Sequence, residues 1–274
     1  MKNFILNFWH DKVVYMKKLI ATHNKIFHAD EITAIALLEV FTDFTYEICR
    51  VDHNTKDFTK YDLVIDIGKN FDGVKYFDHH QFKGGKSSAG LIWQYLGVEK
   101  EYPKLSKLID LVDRNDVGIE KAKTFEYSSL IKCFNTRNLL SDEQNQQFFK
   151  AIDFAKTVLL SYKEMEDEII KAKDIVNESF IFNSNPKIIE LSEFTPHWGI
   201  YINGELMPNI KAVVWEDEEE NCWKVKVPSK RAGSFDLNGK SLKQDKNMEF
   251  VHSSGHFAIA QSEEIMNNFL SKNI

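Results

Sequence analysis

The sequence predicts an α/β protein whose first domain contains a doubly wound, mostly parallel sheet. Short apolar runs of strand length alternate there with segments in which apolar residues recur at helical spacing. One run, DLVIDIG at residues 62–68, has a continuous apolar centre, which is typical of a strand covered on both faces. Strand-like runs return after a long helical stretch, so we expect a smaller α/β domain to follow.

The elements of the first domain follow from this periodicity. The predicted strands are residues 18–22, 46–51, 62–68 and 74–77. The predicted helices are residues 30–41, 88–96 and 103–112. An acid opens the first helix, as expected at a helix N-terminus. Because strands and helices alternate along the chain, we expect the strands to run parallel.

A long helix predicted at residues 142–177 separates the two halves of the chain. Beyond it, the predicted strands are residues 187–191, 210–215 and 222–227, and the acidic run 216–221 is interpreted as a solvated hairpin loop. The predicted organisation is an N-terminal extension (1–16), a first domain that includes the long helix (17–178) and a C-terminal substrate-binding domain (179–274). We expect a cleft between the two domains.

The composition of the chain argues against several classes of protein. The chain has 274 residues, a net charge of −6 and no apolar run long enough to span a membrane. Its cysteines, Cys49, Cys133 and Cys222, form no CxxC pair, which argues against a disulfide framework or a cysteine-ligated zinc site and favours the cytoplasm. The acidic balance does not indicate a nucleic-acid binder, although bound metal ions can supply local positive charge.

Side chains that bind metals or phosphates occur where the predicted strands end. In an open parallel sheet, ligands bind beyond the carboxyl ends of the strands. The candidates lie at those ends or in the following loops and helices: His23, His28, Asp30, Asp66, Asp78, His79, His80, Asp113 and Asp116. Oxygen and imidazole donors without cysteine suit one or two divalent ions of the Mn, Mg, Fe or Co type. Asp66 is suited to bridge two ions, since a carboxylate has two oxygens.

Taken singly, these residues have ordinary interpretations. A lone His23 or His28 is more often a loop histidine, and Asp30 alone is an ordinary N-cap. Asp66 is harder to explain in this way, because an unpaired carboxylate is costly to bury. Their coincidence at one predicted edge favours a site. The histidines without an evident partner are assigned to the surface or the core: His10, His53 and His197.

Four segments carry a resemblance to a known family: IATHNKIFHADEITA, YDLVIDIG, YFDHHQ and SSAGLIW. Together they resemble the melanocyte-proliferating-gene-one (Myg) family of the DHH phosphoesterase superfamily. The resemblance implies two α/β domains with a cleft between them, the first carrying a DHH-type centre with two metal ions. It also implies a metal-dependent hydrolase, with exonuclease activity on RNA as in eukaryotic relatives.

The resemblance further implies two ligand sets. His23, His28 and Asp66 would hold one ion. The second ion would be held by Asp30, Asp66, His79 and a later aspartate. Both Asp113 and Asp116 match the pattern VDxxDxG within residues 111–119, and Asp113 is slightly favoured. The ions are expected to be Mn²⁺, with Mg²⁺, Co²⁺ and Fe²⁺ as alternatives.

Two further residues of the YFDHH segment have implied catalytic roles. Asp78 would orient a histidine. His80 would face the substrate phosphate, where it could stabilise a non-bridging oxygen or protonate the leaving group.

The resemblance in the second domain is looser. The segment VHSSGH at residues 251–256 is similar to a His-x-Ser-Gly segment that precedes a helix in the family, and such a turn can present backbone N–H groups to an anion. The substrate-binding candidates are Arg231, His252, Ser254 and Gly255. The alternative for the region around Lys230 and Arg231 is a solvated hairpin. The chain departs from the family pattern by having Gly255-His256-Phe257 in place of the usual apolar-glycine run.

The ligand set predicts two-metal hydrolysis of phosphodiester bonds. The resemblance implies that the protein is an exonuclease acting on RNA or short oligonucleotides. One alternative is a phosphatase or pyrophosphatase acting on a small phosphoester, which the acidic net charge favours mildly. The other is a metal-binding protein without catalytic activity, which the intact ligand set disfavours.

Overall fold

The computed structural model describes residues 17–202, 207, 209–228 and 242–274. The chain divides into two compact units, residues 1–164 and 165–274. The division falls inside the long predicted helix, whereas the sequence assigns that helix whole to the first domain; that assignment stays a prediction. Among the described residues, no helix has the length and apolar character that a membrane span requires.

The first unit is built on a four-stranded sheet, which confirms the α/β class. The strands are β1 (Lys17–His23), β2 (Thr45–Val51), β3 (Leu63–Ile65) and β4 (Tyr76–Phe77). They lie in the order β2-β1-β3-β4, and all three pairings are parallel. The carboxyl ends of all four strands therefore meet at one edge of the sheet.

Strand β3 ends earlier than predicted, and the reason is the backbone at Asp66. This residue takes a φ of 56°, and Gly68 and Lys69 follow with φ of 96° and 52°. A left-handed conformation cannot continue a strand, and outside glycine it is tolerated best by Asp and Asn. The chain thus turns sharply just where the Asp66 carboxylate reaches the edge of the sheet.

Five helices complete the first unit and lead into the second. They are α1 (Ala29–Phe41), α2 (Ser88–Leu96), α3 (Pro103–Asp116), α4 (Tyr127–Lys132) and α5 (Asp142–Asn177). Helix α1 is buried on all sides between Ala29 and Leu38, as expected of a helix that is apolar all round. Its side chains join those of β1, β3 and α2 in the main core. Helix α4 was not predicted, because six residues are too few to show a helical period.

The second unit contains a six-stranded mixed sheet. Its strands are β5 (Phe180–Ile181), β6 (Ile188–Glu190), β7 (Ala212–Asp217), β8 (Cys222–Lys226), β9 (Phe250–Val251) and β10 (Phe257–Ala260). Its helices are α6 (Trp198–Tyr201) and α7 (Glu263–Asn273), and a 3-10 turn spans Phe182–Ser184. The order is β5-β6-β7-β8-β10-β9, and only the β6–β7 pairing is parallel.

A hairpin loop lies within the acidic run, but it is shorter than predicted. Glu216 and Asp217 belong to β7, and β7 and β8 pair antiparallel on either side of residues 218–221. Lys224 Nζ lies 2.7 Å from both Asp217 Oδ2 and Glu220 Oε2. The acids are thus partly neutralised by a lysine of the same hairpin.

Candidate metal centre

The buried imidazole of His23 ends β1 and lies between two carboxylates. Its Nδ1 donates to the carbonyl oxygen of Asn24 at 2.9 Å. Its Nε2 lies 3.1 Å from Glu31 Oε1 and 3.2 Å from Asp66 Oδ2. Burial alone would lower the pKa of His23, but the bonds to Asp66 and Glu31 outweigh it and raise the pKa to about 11. Since Nδ1 must donate to a carbonyl, Nε2 is the nitrogen available to a metal.

The Asp66 carboxylate reaches both sides of the centre through its two oxygens. Oδ2 contacts His23, whereas Oδ1 lies 3.3 Å from His79 Nε2 and accepts a bond from Ser88 Oγ at 3.1 Å. Burial favours the protonated form, but the bonds from His23 and His79 hold the pKa of Asp66 well below its usual range. Asp66 is therefore ionised, and it lies where a bridging ligand would be needed.

Asp30, in the first turn of α1, is buried, and neither of its carboxylate oxygens has a hydrogen-bond partner among the described residues. Burial, together with the charges of Asp66 and Asp116, raises the pKa of Asp30 well above its usual value. Native proteins rarely leave a buried carboxylate unsatisfied, because its desolvation is then uncompensated. A cation among these carboxylates would remove the penalty, so the donor set fits a divalent metal.

One nitrogen of His79 faces three carboxylates. Its Nε2 lies 3.1 Å from Asp116 Oδ2, 3.3 Å from Asp66 Oδ1 and 3.7 Å from Asp30 Oδ2. Burial opposes the charged ring, but the bonds to Asp116 and Asp66 raise the pKa of His79 to about 10. The proton on His79 thus supplies positive charge where a metal ion would otherwise do so.

Asp113 and Asp116 end the same helix but have different surroundings. Asp113 Oδ1 accepts from Ser87 N at 2.9 Å, from Ser87 Oγ at 2.6 Å and from Gly90 N at 3.1 Å. A Cβ at Gly90 would overlap this carboxylate. Asp113 therefore holds the N-terminus of α2, whereas Asp116 lies in the cluster. The geometry favours Asp116 as the ligand, the reverse of the preference drawn from sequence.

The neighbouring histidines His79 and His80 differ in exposure and in partner. The side chain of His79 is 13% exposed and that of His80 is 52% exposed. Asp78 Oδ1 accepts from both Nδ1 and the backbone N of His80, at 2.7 and 3.0 Å. The bond to Asp78 raises the pKa of His80, although burial opposes it. Asp78 thus fixes the orientation of a histidine that stays open to a ligand.

Three groups of side chains bring their donor atoms within 4.8 Å of one another. They are His23, His28, Glu31 and Asp66; Asp66, His79 and His80; and His28, Asp30 and Asp116. Asp66 and His28 each belong to two of these groups. The structure therefore brings together every metal-ligand candidate of the first domain except Asp113.

Two residues near the centre were missed from the sequence. Glu31 is buried beside His23 and accepts from the backbone N of His28 at 3.0 Å. The ring of His53 stacks on that of His23, with centroids 4.8 Å apart and planes at 21°. Each had a signal: Glu31 stands three residues after the helix cap, as in a capping box, and His53 follows β2 at the same edge of the sheet.

In the second unit, the substrate-binding candidates His252, Ser254 and Gly255 lie in the turn between β9 and β10. Ser254 Oγ lies 2.8 Å from His252 Nδ1 and 2.6 Å from His256 Nδ1. Gly255 takes a φ of 68°, and its N donates to His252 O at 2.8 Å. The turn leads into β10 and not directly into a helix. Arg231, and the region around it, lies outside the described residues.

The fold and the centre together define a class: an α/β protein with histidine and carboxylate donors gathered at the carboxyl edge of a parallel sheet, where divalent cations would bind. The chain belongs to the family whose model, MYG1_exonuc, is described as "Uncharacterised protein family (UPF0160)", and the match covers residues 19–274. The resemblance to the Myg family drawn from sequence motifs is thereby confirmed.

Curated relatives come from distant organisms. The chain is 26% identical to the MYG1 protein of Saccharomyces cerevisiae, over 91% of this chain and 93% of that one. It is 25% identical to the MYG1 exonuclease of Homo sapiens, over 86% and 80% of the two chains. A MYG1 protein of Chlamydia muridarum is 32% identical over 53% and 54%.

Proposed function

We propose that this protein is a metal-dependent phosphoesterase that hydrolyses phosphodiester bonds, acting as an exonuclease on RNA or short oligonucleotides. The observation that carries the proposal is Asp30, a buried carboxylate whose two oxygens have no hydrogen-bond partner. Histidine protons alone leave this carboxylate unsatisfied. Bound cations beside it, in a cavity open to a substrate, would provide the arrangement that phosphoester hydrolysis requires.

In this proposal the cofactor is a pair of divalent ions, with Mn²⁺ favoured. His23, His28 and Asp66 would hold one ion, and Glu31 lies close enough to join them. Asp30, Asp66, His79 and Asp116 would hold the other. Asp113 is left out, because its carboxylate already bonds Ser87 and Gly90.

When bound, such ions supply a nucleophilic hydroxide at neutral pH and neutralise charge on the phosphate oxygens. The protein's own residues orient the catalytic side chains and supply a proton. Asp78 holds Nδ1 of His80, which leaves Nε2 to donate to a phosphate oxygen or to protonate the leaving group. Asn24 holds Nδ1 of His23 and thereby sets the ring orientation.

The choice of an exonuclease follows the names of relatives such as the mouse MYG1 exonuclease, which is 25% identical over 86% of this chain and 79% of its own length. A nucleic acid carries many negatively charged phosphates. The bound ions would offset the acidic charge of the protein, which would otherwise repel these phosphates.

A Mn²⁺-dependent activity panel tests the proposal. Its substrates are labelled oligoribonucleotides, oligodeoxynucleotides, dinucleotides, pyrophosphate and a generic phosphodiester. We expect hydrolysis of the oligonucleotides, with loss of terminal nucleotides, and loss of all activity in EDTA. Activity confined to pyrophosphate or to small monoesters would favour the phosphatase alternative, and no turnover at all would favour a binding protein.

Elemental analysis after reconstitution with metal provides a second readout. We expect about two ions per chain, as the double ligand set requires. Asp43→Asn, which removes an exposed carboxylate of the same unit, serves as the matched control. A trace of bound metal in the unmodified protein would rule out the centre with two ions.

A further inference from the structure

Two cavities flank the metal centre, and both are lined by the first unit alone. The first, called here the strand-side cavity, has a volume of about 550 Å³ and extends from His23 past His53 to Lys56 and Lys69. The second, called the helix-side cavity, has a volume of about 600 Å³ and extends from His79 past Asp116 to Lys121 and Lys132.

The two cavities meet at the centre itself. Three residues line both of them: His28, Asp66 and His80. A phosphate bound at these residues would therefore have open space on two sides. Each volume falls within the range of cavities that hold small organic ligands, and each exceeds what the oxygens of one phosphate need. The site thus has room for a substituent on either side of the reacting phosphorus.

Exposed lysines line both cavities away from the centre. Lys56 and Lys69 line the strand-side cavity, and Lys121 and Lys132 line the helix-side cavity. Lys123, close to Lys121 in sequence, lies within 4 Å of Glu120 and Glu126. Within the part of the chain that the structure describes, the four cavity lysines have no such acidic partner. Their charges are available to anions bound in the cavities.

One strand-side lysine, Lys69, is tied to the catalytic candidates through its backbone. Lys69 N donates to Asp78 Oδ2 at 2.6 Å, while Asp78 Oδ1 accepts from His80 Nδ1. One carboxylate therefore fixes both the position of the Lys69 backbone and the orientation of His80. The ring of His53 lines the same cavity and offers an aromatic surface on which a base can stack.

We propose that the substrate of this centre is an oligonucleotide bound on both sides of the scissile phosphate, with one flanking nucleotide in each cavity. Each cavity's lysine pair holds the next phosphate on its side, which on the terminal side is the end phosphate of the chain. The inference rests on the proposed function and narrows it. A pyrophosphate or a small monoester would fill at most one cavity, whereas a chain of several nucleotides would fill both.

Paired substitutions test this arrangement. The variants are Lys56→Ala with Lys69→Ala for the strand side, and Lys121→Ala with Lys132→Ala for the helix side. The control is Lys107→Ala with Lys150→Ala, two exposed lysines of the same unit that line neither cavity. Each protein, loaded with Mn²⁺, is assayed on a pentaribonucleotide that carries a phosphate at both ends and on bis(p-nitrophenyl) phosphate. Thermal unfolding of every variant is followed by circular dichroism.

We expect each cavity variant to lose roughly tenfold in kcat/KM on the pentaribonucleotide, mainly through KM, because each lysine contacts one phosphate. The loss on bis(p-nitrophenyl) phosphate should be at least about fivefold smaller, since this diester has no further phosphates. The slope of log kcat/KM against log salt should become shallower by about 0.7 for each pair, as the loss of one single-strand phosphate contact predicts. The control variant should match the unmodified protein on both substrates.

Equal losses on the two substrates would overturn the inference, because the lysines would then support the centre itself. A loss from one pair alone would also overturn it in favour of a one-sided site. Anisotropy of a labelled pentaribonucleotide with the metal-loaded proteins separates binding from turnover. Weakened binding in both variants, with no hydrolysis by the unmodified protein, would leave the two-cavity site standing and would refute the proposed function.

Discussion

Histidines gather in two regions of this protein, and their surroundings are opposite. At the carboxyl edge of the first sheet, His23 and His79 are largely buried and contact several carboxylates. In the turn between β9 and β10, His252 and His256 lie on either side of Ser254, with ring centroids 4.3 Å apart. Ser254 is their common hydrogen-bond partner there.

The pKa shifts follow this difference. Bonds to carboxylates raise the pKa of His23 and His79 to about 11 and about 10, against the effect of burial. Burial, together with the charges of His252 and Lys226, lowers the pKa of His256. The first region therefore has an excess of negative charge and suits cations, whereas the second suits a neutral or anionic group. The same residue type thus lies among carboxylates in one place and beside a serine and a lysine in the other.

The largest expected effect is at Asp66, whose charge both ligand sets share. Asp66→Asn should lower kcat by at least about 10³-fold, because it removes charge that positions the cations acting on the transition state. The unfolding temperature should change little by comparison. Turnover of the variant and of the control Asp43→Asn is measured with Mn²⁺. Near-native turnover in Asp66→Asn would make this carboxylate structural and the proposed centre wrong.

The neighbouring histidines that follow β4, His79 and His80, should respond differently to alanine. His79→Ala should lose bound metal, since its ring faces the carboxylates of the cluster. His80→Ala should keep its metal and lose roughly 10²-fold in kcat, as expected when a proton donor to the transition state is removed. Bound metal and kcat are measured on both variants side by side.

If His80→Ala alone lost metal, His80 would be the metal ligand and His79 the residue that acts on the transition state. Equal metal loss in both variants would make His80 a ligand, and the phosphate contact would then have to come from another residue, with His252 or Arg231 as candidates. Unchanged metal content and kcat in both would indicate two histidines at a strand end with no site.

Binding of metal should stabilise the protein through residues of the first region and not through residues of the second. Saturating Mn²⁺ should raise the free energy of unfolding, by about 2.7 kcal/mol at 100 times its dissociation constant. The physical reason is that the cations satisfy Asp30 and relieve repulsion among the neighbouring carboxylates. Thermal unfolding with Mn²⁺ and with EDTA measures the effect. Asp66→Asn should reduce the stabilisation and His252→Ala should not; an equal reduction in both would contradict the assignment of the metal to the first region.

Asp113 and Asp116 provide a sharper comparison within one helix. Asp113→Ala should lower the free energy of unfolding by about 2–3 kcal/mol, because it leaves buried donors of Ser87 and Gly90 unpaired. Asp116→Ala should instead lose metal and activity with a smaller loss of stability. Chemical denaturation and metal analysis of both variants test this. If Asp113→Ala fails to fold, Asp113→Asn, which keeps the accepting oxygen, should fold and bind metal normally.

The smallest expected effect is in the turn of the second unit. His252→Ala and Ser254→Ala should raise KM for an oligoribonucleotide by about two- to fivefold, the effect of losing a single exposed hydrogen bond of about 0.5–1 kcal/mol. Metal content should stay at the level of the unmodified protein. Initial rates over a range of substrate concentrations give KM. A change in the metal content of His252→Ala or Ser254→Ala would show that the two regions are not electrostatically distinct.

Much of the fold and of the candidate site can be predicted from the sequence, because apolar patterns within single elements indicate helices and strands. Periodicity located β1, β2, α1, α2 and α5 to within a residue or two, because each presents a clear apolar pattern. Strand ends then located the donors His23, Asp66 and His79, since parallel strands bring their carboxyl ends to one edge. The two-residue strands β5 and β9 and the six-residue helix α4 were not predicted, because so short a stretch carries no measurable period.

Tertiary structure alone decided which side chains face one another. Asp113 and Asp116 are three residues apart and both match the motif, yet only packing shows that the first carboxylate meets Gly90 and the second meets His79. The place of Glu31 beside His23 likewise depends on how α1 packs against the sheet. Sequence determines where polar groups occur along an element. The direction of each one, and the charges it meets, are set by long-range packing that no local pattern encodes.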